Sequence, residues 1–189
     1  MELKPLKLDW DIKYEFTLNN SSPVEPILIF EIPVKSRTVY MFLPFHDYPY
    51  HSGYILLLDT TLFLDAWRMS KNDEDYPNYH LGNEILWCKD RKFQNTGFLF
   101  NQGRKSPVPV ISELTFDKDK GIVFSDSLTR TIWLLANGAE YLPVFSKTRQ
   151  NAMLLQQAAG RTGCNIYACH DFLTHHFQTL NHQYRELMP

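Results

Sequence analysis

The sequence predicts an α+β protein in which a mixed sheet with flanking helices follows an antiparallel strand unit at the N-terminus. Three observations favour this class: strand-like runs with turn clusters fill residues 1–45, a strand-helix-strand pattern lies near the centre, and helical patterns close the chain. From the length of 189 residues we expect a single domain. Its predicted parts are the strand unit (1–45), a core (54–160) and a C-terminal helix (161–189).

The composition limits the classes of function. The chain is 44% hydrophobic and 14% aromatic, with a net charge of −2. A near-neutral protein cannot coat nucleic acid through bulk charge, although a local basic patch is allowed. No apolar run approaches the roughly 20 residues of a membrane helix, and the N-terminus, MELKPLKLDWDIKY, has no apolar signal region. The three cysteines form no Cys-x-x-Cys pair, so we expect a cytoplasmic protein with reduced thiols and no membrane insertion.

The N-terminal unit is predicted from three strand patterns. Residues 12–18 alternate polar and apolar side chains and end at the turn cluster NNSSP. Two apolar runs, 27–32 and 38–43, follow on either side of PVKSR. Short consecutive strands joined by turns favour antiparallel pairing.

Histidines raise the question of a metal in two places. In the loop FHDYPYHSGY, His46, Asp47 and His51 are either metal ligands or surface groups packed by tyrosines. Four more histidines lie near the C-terminus: His170, His175, His176 and His182. These four fall on several faces of the helix predicted over 168–187, which is a poor arrangement for one ion. The identity of any metal is left open.

The central part begins with a strand at 55–58, after which Asp59 or Thr60 caps a helix. The acidic stretch KNDEDYP then indicates a solvated loop, because blocks of like charge usually face water. The pattern LGNEILWCK, over 81–89, predicts a short helix. Glu84 lies near its start, where the helix dipole favours an ionised carboxylate.

Residues 90–107 combine basic and aromatic side chains: Arg91, Lys92, Arg104 and Lys105 with Phe93, Phe98 and Phe100. Basic groups neutralise phosphates and aromatic faces stack on bases, so the segment is interpreted either as a nucleic-acid or nucleotide surface or as a plain loop packed by its aromatics. Gly103, Arg104 and Lys105 are the most suggestive part, because glycine lets the backbone approach a ligand closely. A strand at 107–116 and a hairpin turn at 117–121 follow.

The main candidate site is the corner between a strand at 122–125 and the next helix. Asp126 is the predicted N-cap, and Asn137-Gly138 ends the helix. The helix face is predicted to hold Leu128, Ile132, Leu135 and Ala136. The first turn of a helix has unpaired N–H groups and the positive end of the dipole, so it can hold a phosphate.

Hydroxyls and a guanidinium already occupy this corner. Ser127, Thr129 and Thr131 can donate hydrogen bonds, and Arg130 offers a planar fork that matches pairs of phosphate oxygens. The alternative is an ordinary capped helix with an exposed arginine. A strand at 139–144 follows, and Ser146 is expected to cap a helix that ends at Gly160.

Four stretches together resemble one known family: LDTTLFLDAW, LGNEILW, KFQNTGFLFNQGRKSPVPV and FSDSLTRTIWLLANGAEYLPV. Over residues 54–145 the chain is similar to the plasmid fertility inhibition factors, a branch of the ParB/sulfiredoxin-like fold. The resemblance implies a ParB/sulfiredoxin-like core and a plasmid-borne agent that blocks DNA transfer through a type IV secretion route. Relatives at the level of the fold bind nucleotides, and several hydrolyse ATP or CTP or cleave DNA.

The resemblance can be carried over residue by residue. Arg130 matches the final arginine of the fold's Gly-x-His-Arg turn, Thr129 replaces the histidine and Ser127 replaces the glycine. Leu128 stands where sulfiredoxin has its reactive cysteine, which excludes sulfinic acid repair. Pro107 to Val110 matches a Pro-x-x-Val strand that flanks the pocket, which would place Arg104 and Lys105 beside it.

The first hypothesis is a ParB-like DNase with ATPase activity that cleaves the transferred single strand. Arg130, Asp126 and Glu84 are the expected catalytic residues, with Asp126 or Glu84 holding a metal or orienting water. The expected phosphate-binding residues are Ser127, Thr129, Thr131, Gly103, Arg104 and Lys105. ATP would be substrate or ligand, and Mg²⁺ is inferred from the reaction class.

The second hypothesis is a binding protein without catalysis. It would block the type IV coupling protein or its cargo by contact, and the pocket would be a relic or a ligand switch. Under either hypothesis we expect a cytoplasmic protein that can be recruited to the secretion apparatus at the inner membrane.

Overall fold

A computed structural model describes residues 10–19, 22–45, 52–71 and 76–172. The strands are β1 (Tyr14–Asn19), β2 (Ser22–Val34), β3 (Arg37–Pro44), β4 (Tyr54–Asp59), β5 (Val108–Pro109), β6 (Leu114–Asp117), β7 (Gly121–Phe124), β8 (Tyr141–Ser146) and β9 (Tyr167–Ala168). The helices are α1 (Thr60–Arg68), α2 (Glu84–Trp87), α3 (Phe93–Phe100), α4 (Leu128–Ala136) and α5 (Arg149–Ala159). The α+β class is therefore confirmed. Within the described ranges no helix has the length and apolar character needed to span a bilayer.

The N-terminal strand unit is an antiparallel meander, as predicted. β1 pairs with β2 and β2 pairs with β3, both antiparallel, with Phe30 opposite Met41. Both of these side chains are fully buried. The strands are longer than the apolar runs indicate because their polar ends continue the hydrogen-bond ladder.

The segment 108–111 joins this meander to the rest of the sheet. β5 lies parallel to β3, and the Val110 amide donates to the Phe42 carbonyl at 2.9 Å. One residue later the Ile111 amide donates to the Pro143 carbonyl, and its own carbonyl accepts from the Phe145 amide at 2.8 Å. β8 in turn pairs with β4, and β4 with β9. Residues 108–111 thus hydrogen-bond to β3 on one side and to β8 on the other, and they bridge the four-stranded sheet β1-β2-β3-β5 and the three-stranded sheet β8-β4-β9. The four-stranded sheet is mixed because β5 is parallel to β3.

The single strand predicted over 107–116 is wrong. Glu113 has a φ of 57° and turns the chain between β5 and β6. β6 then pairs with β7 in a separate two-stranded hairpin. Because both halves of 107–116 are apolar and β-prone, composition alone does not reveal the break.

The hairpin turn at 117–121 is confirmed. One carboxylate oxygen of Asp117 accepts from the amides of Asp119 and Lys120, both at 2.8 Å. These two bonds to the charged form hold the Asp117 pKa below its ordinary value. Gly121 closes the turn with a φ of 80°, which glycine adopts without steric cost.

Helix α3 lies within residues 90–107, which corrects the interpretation of this segment as a plain loop and leaves the alternative of a nucleic-acid or nucleotide surface as a prediction. Phe93, Thr96 and Phe100 are buried at helical spacing, and the Phe100 ring stacks on Trp133 of α4 with centroids 4.4 Å apart. This apolar stripe stabilises a helix against α4. In the sequence, the basic residues on either side of this stripe favoured an interpretation as a surface segment.

The predicted helix starts are confirmed at one place and wrong at two. Asp59 caps α1 by accepting from the amides of Thr61 and Leu62. Neither Asp126 nor Ser146 is an N-cap. Ser146 is the last residue of β8, and Thr148 caps α5 instead. The predicted end of α5 at Gly160 is confirmed.

The predicted face of α4 is confirmed only in part. Leu128 and Ile132 are buried, whereas Leu135 and Ala136 are half-buried. Thr131, Trp133 and Leu134 are also buried. This wider buried surface follows from the position of α4, which packs against α2 and α3 on its outer side. Most of the helix predicted over 168–187 lies outside the described residues.

Candidate functional site

Ser127 forms the corner between β7 and α4. Its backbone is left-handed, with φ 68° and ψ 3°, and it is the N-cap of α4 without a capping side-chain hydrogen bond. The left-handed conformation directs the hydroxyl away from the helix. The first-turn amides of α4 therefore receive nothing from the N-cap side chain.

The Ser127 hydroxyl is instead part of a buried network. The residue is only 4% exposed. Its Oγ accepts from the Ser112 amide at 3.1 Å and from Nη2 of Arg130 at 2.6 Å. Glycine adopts such a positive φ without steric cost, and the two hydrogen bonds explain how serine can adopt it here.

Arg130 holds the corner against the segment 108–111. Its Nη1 donates to the carbonyls of Pro109 and Val110, at 3.0 and 3.2 Å. Its Nη2 also donates to Oδ2 of Asp126 at 3.0 Å, and the side chain is 18% exposed. Asp126 is thus the ion-pair partner of Arg130. In this structure both terminal nitrogens of the guanidinium bond to groups of the protein.

A cleft of about 350 Å³ opens in front of this corner. One wall is formed by residues 124–130 and another by β5. The remaining lining side chains come from before and along α3: Tyr76, Lys92, Thr96 and Leu99. The lining is about half polar and half apolar, which suits a ligand with a charged part and a ring.

Four of the predicted site residues line this cleft: Asp126, Ser127, Thr129 and Arg130. Thr131 does not. It is fully buried, and its hydroxyl donates to the Ser127 carbonyl at 3.0 Å, one helical turn back. The Thr131 hydroxyl therefore stabilises the first turn of α4 and is not presented to the cleft.

Glu84 lies near the opposite end of α4. Its carboxylate is 3.8 Å from the Lys35 ammonium, which also donates to the Ala136 carbonyl at the C-terminus of the helix. A nine-residue helix is about 14 Å long at 1.5 Å per residue. The structure therefore does not bring Glu84 to Asp126.

The segment 103–105 also lies away from the cleft. It forms a 3-10 turn that packs beside β3, and Arg104 forms an ion pair with Glu15 of β1. Neither Gly103 nor Lys105 lines the cleft. The prediction placed these residues beside the pocket because they precede the strand at 108 in sequence, but their 3-10 turn packs beside β3 instead.

Lys92 is the basic side chain among the cleft residues that the site prediction omitted. Composition marked it as one of several basic residues, and only the packing of α3 on α4 places it at the N-terminus of α4. In the part of the chain that the structure describes, its ammonium has no ion-pair partner. No described side chain therefore neutralises the Lys92 ammonium at the cleft.

The described ranges contain no group of three His, Cys, Asp or Glu residues placed to hold a metal ion. Among the described residues that line the cleft, Asp126 provides a carboxylate, and it is 64% exposed. His46, Asp47 and His51 lie outside the described residues, as do His175, His176 and His182. None of the three cysteines is in a disulfide.

Comparison with known proteins agrees with the sequence resemblance. Residues 55–160 match the family model described as plasmid fertility inhibition factor. The chain is 30% identical over 111 residues to Protein osa of Shigella flexneri, and the match covers 58% of this chain. It spans 57% of the length of that relative.

A solved structure shows the same fold. The crystal structure of the Oncogenic Suppression Activity Protein, a plasmid fertility inhibition factor solved as a gold(I) cyanide derivative, superposes with a TM-score of 0.65. The match covers 86% of this chain and 79% of that chain at 22% identity. The strand order and the helices described above thus form a known arrangement.

Proposed function

The chain belongs to the plasmid fertility inhibition factor family, whose model spans more than half of it, and from this premise we propose that it suppresses type IV secretion-mediated DNA transfer as a ParB-like DNase with ATPase activity. Conjugation and T-DNA transfer are the processes concerned. The observation that carries the proposal is the cleft at the start of α4, where a lysine without an ion-pair partner among the described residues, a helix N-terminus and the Asp126 carboxylate meet.

A phosphate fits the polar wall of this cleft. The uncapped first-turn amides of α4 can donate to phosphate oxygens, and the helix dipole favours the negative charge there. The Lys92 ammonium and the Thr129 hydroxyl line the same cleft and would add two further donors. Tyr76 and Leu99 provide an apolar wall for a base. The volume of about 350 Å³ lies in the usual range of small-ligand sites.

Mg²⁺ fits the cleft only together with a phosphate ligand. This ion is usually held by one or two carboxylates plus the phosphates of a substrate, and Asp126 supplies one exposed carboxylate. A bound Mg²⁺ would neutralise charge that develops on the phosphate. Arg130 holds Asp126 at 3.0 Å and would keep that carboxylate directed at the cleft. Glu84 receives no role, because it lies at the other end of α4.

The engaged state of Arg130 favours a second candidate function, inhibition by contact. Both Nη atoms bind protein acceptors, so a phosphate would have to displace at least one of these bonds to reach the guanidinium. In this alternative the corner is structural. The protein would then block the type IV coupling protein or its cargo without cleaving DNA.

The two functions are separated by nuclease and ATPase assays on labelled single-stranded and duplex DNA, with and without Mg²⁺ and ATP. We expect Asp126→Asn and Lys92→Gln to lower cleavage by about 100-fold or more, the range for loss of one charge-stabilising group. Both residues are exposed, so both variants should fold. Arg104→Ala, away from the cleft, is the matched control.

Arg130→Ala removes the hydrogen bonds that hold the corner to Pro109 and Val110. A urea unfolding curve of this variant shows whether a loss of cleavage reflects a loss of stability. Cleavage no greater than that of a mock preparation, or equal cleavage by Asp126→Asn and wild type, would contradict the enzymatic proposal. Inhibition of transfer in cells that survives both Asp126→Asn and Lys92→Gln would support the blocking alternative.

A further inference from the structure

We infer that the outer face of α3 is a base-stacking surface, with Phe98 as its platform, which leads single-stranded DNA into the cleft. This inference rests on the proposed function, since it takes DNA as the ligand. It adds the residue that contacts the bases and a reason for selecting single strands.

The packing of α3 fixes where Phe98 points. The inner side of the helix is held against α4 by the Phe100 and Trp133 stack. Gly97 lies directly over the Trp133 indole, where an added Cβ would come within 2.9 Å of Nε1. The neighbouring Phe98 is 66% exposed. A rigid helix thus holds a phenyl ring in water, where burial in a partner or against a base would be favourable.

Phe98 does not line the cleft, but it is next in sequence to Leu99, which does. Lys92, Thr96 and Leu99 all line the cleft, and their spacing of four and three residues places them along one stripe of the α3 region. Phe98 is adjacent to Leu99 in sequence and about 100° further round the helix axis. Phe98 and Leu99 are both exposed, so a strand that crosses α3 from Phe98 to Leu99 would reach the cleft.

The charge around this face suits DNA. Lys89, Arg91 and Lys92 are exposed where α2 passes into α3. The intervening Asp90 is turned inward and accepts hydrogen bonds from the Lys92 amide at 2.8 Å and the Tyr79 hydroxyl at 3.4 Å. Cationic groups beside an exposed ring satisfy the two needs of a single strand, which are phosphate neutralisation and base stacking. Duplex bases are already stacked and gain nothing from Phe98.

The test is the affinity for a fluorescent single-stranded oligonucleotide, measured by anisotropy in EDTA without nucleotide, so that binding is read without cleavage. We expect Phe98→Ala to weaken binding by about 5- to 150-fold, which corresponds to loss of one base–aromatic stack. Phe98→Trp should retain the affinity, and duplex binding should be unchanged. Ile85→Ala is the matched control, because Ile85 is 72% exposed on α2 and does not line the cleft.

An abasic oligonucleotide distinguishes stacking from an indirect effect on the fold. It should bind wild type at least as weakly as Phe98→Ala binds the normal strand, and Phe98→Ala should bind the abasic strand no more weakly than wild type does. Equal binding by Phe98→Ala and wild type, or the same loss on normal and abasic strands, would overturn the inference.

The outcomes also separate this inference from the proposed enzymatic function. Phe98-dependent binding without any cleavage supports the stacking surface while the DNase proposal fails. If Phe98→Ala cleaves DNA as well as wild type and binds it equally well, the DNase proposal is supported and the stacking surface is contradicted. A Phe98→Ala protein that binds DNA normally but no longer inhibits transfer would overturn the inference and assign this face to a protein partner.

Discussion

At the scale of single residues, Ser127 carries the conformation on which the corner depends. A left-handed backbone costs a non-glycine residue roughly 1–2 kcal/mol. Ser127 offsets that cost with two hydrogen bonds through its hydroxyl, to the Ser112 amide and to Arg130. The buried Ser112 amide would otherwise lack this partner.

Two substitutions at Ser127 separate strain from hydrogen bonding. Ser127→Ala retains the left-handed cost and loses both bonds, so it should lower the free energy of unfolding by about 1–3 kcal/mol. Ser127→Gly loses the same bonds but relieves the strain, so it should be more stable than the alanine variant by about 1 kcal/mol. Urea unfolding curves measure both differences. A glycine variant less stable than the alanine variant would contradict this explanation.

At the scale of elements, one side-chain amide attaches α5 to the β6–β7 hairpin. Oδ1 of Asn151 accepts from the Phe116 amide at 2.9 Å, and Nδ2 donates to the Leu114 carbonyl at 2.9 Å. Nδ2 also donates to the Ser146 hydroxyl at 3.0 Å. The amide therefore bonds β6 as a neighbouring strand would.

Asn151→Ala should lower the free energy of unfolding by about 1–3 kcal/mol, because it leaves half-buried backbone groups of β6 without partners. Gln150→Ala, one residue away and exposed, should change it by less than about 0.5 kcal/mol. Thermal unfolding compares the two variants, and hydrogen exchange should show faster exchange of the Phe116 amide in Asn151→Ala. Equal stability of the two variants would count against this role.

Element boundaries also show where local sequence patterns lose information. Asp126 and Ser146 are good capping residues by type, yet the caps are Ser127 and Thr148. Strand pairing and the Arg130 contacts decide which of several adjacent polar residues begins the helix. The sequence did not predict α3 for a related reason. Its apolar stripe is stabilised by packing against Trp133 of α4, a contact that local sequence does not show.

At the scale of the whole molecule, Tyr141 ties distant parts of the sheet together. Its hydroxyl on β8 donates to the Glu31 carbonyl on β2 at 2.6 Å. The Arg161 guanidinium lies 5.5 Å from the ring centroid, and Arg161 also pairs with Asp11. Burial raises the pKa of the Tyr141 phenol above its ordinary value of 10.0. The folded protein therefore favours the protonated phenol.

This preference predicts alkaline sensitivity. The contribution of Tyr141 to stability is fully present below pH 10, where the phenol is protonated in both states. It is lost as the pH rises above 10, because the unfolded chain then releases a proton that the folded chain retains. Tyr141→Phe should be less stable by about 1 kcal/mol at pH 7 and should lose less stability at alkaline pH. Urea unfolding from pH 7 to 11, with Tyr40→Phe as a control, tests this. Parallel pH profiles for Tyr141→Phe and wild type would contradict it.

The corner was predictable because its pattern is contiguous. A strand, a polar turn with Arg130, a helix, a glycine and a second strand follow within about 23 residues, and each is visible from local propensity. The N-terminal meander was predictable for the same reason. These features depend on residues close together in the chain, so the sequence by itself determined the α+β class, the corner and the family.

The tertiary structure decided which side chains meet at that corner. It brought Lys92 and Leu99 to the cleft, moved Arg104 to an ion pair with Glu15, and placed Glu84 at the far end of α4. It also showed that Arg130, predicted as a phosphate-binding side chain, donates hydrogen bonds to the carbonyls of Pro109 and Val110. Such contacts join residues about 20 or more positions apart, and their energy depends on how helices and strands pack. Residue type and local spacing do not contain that information.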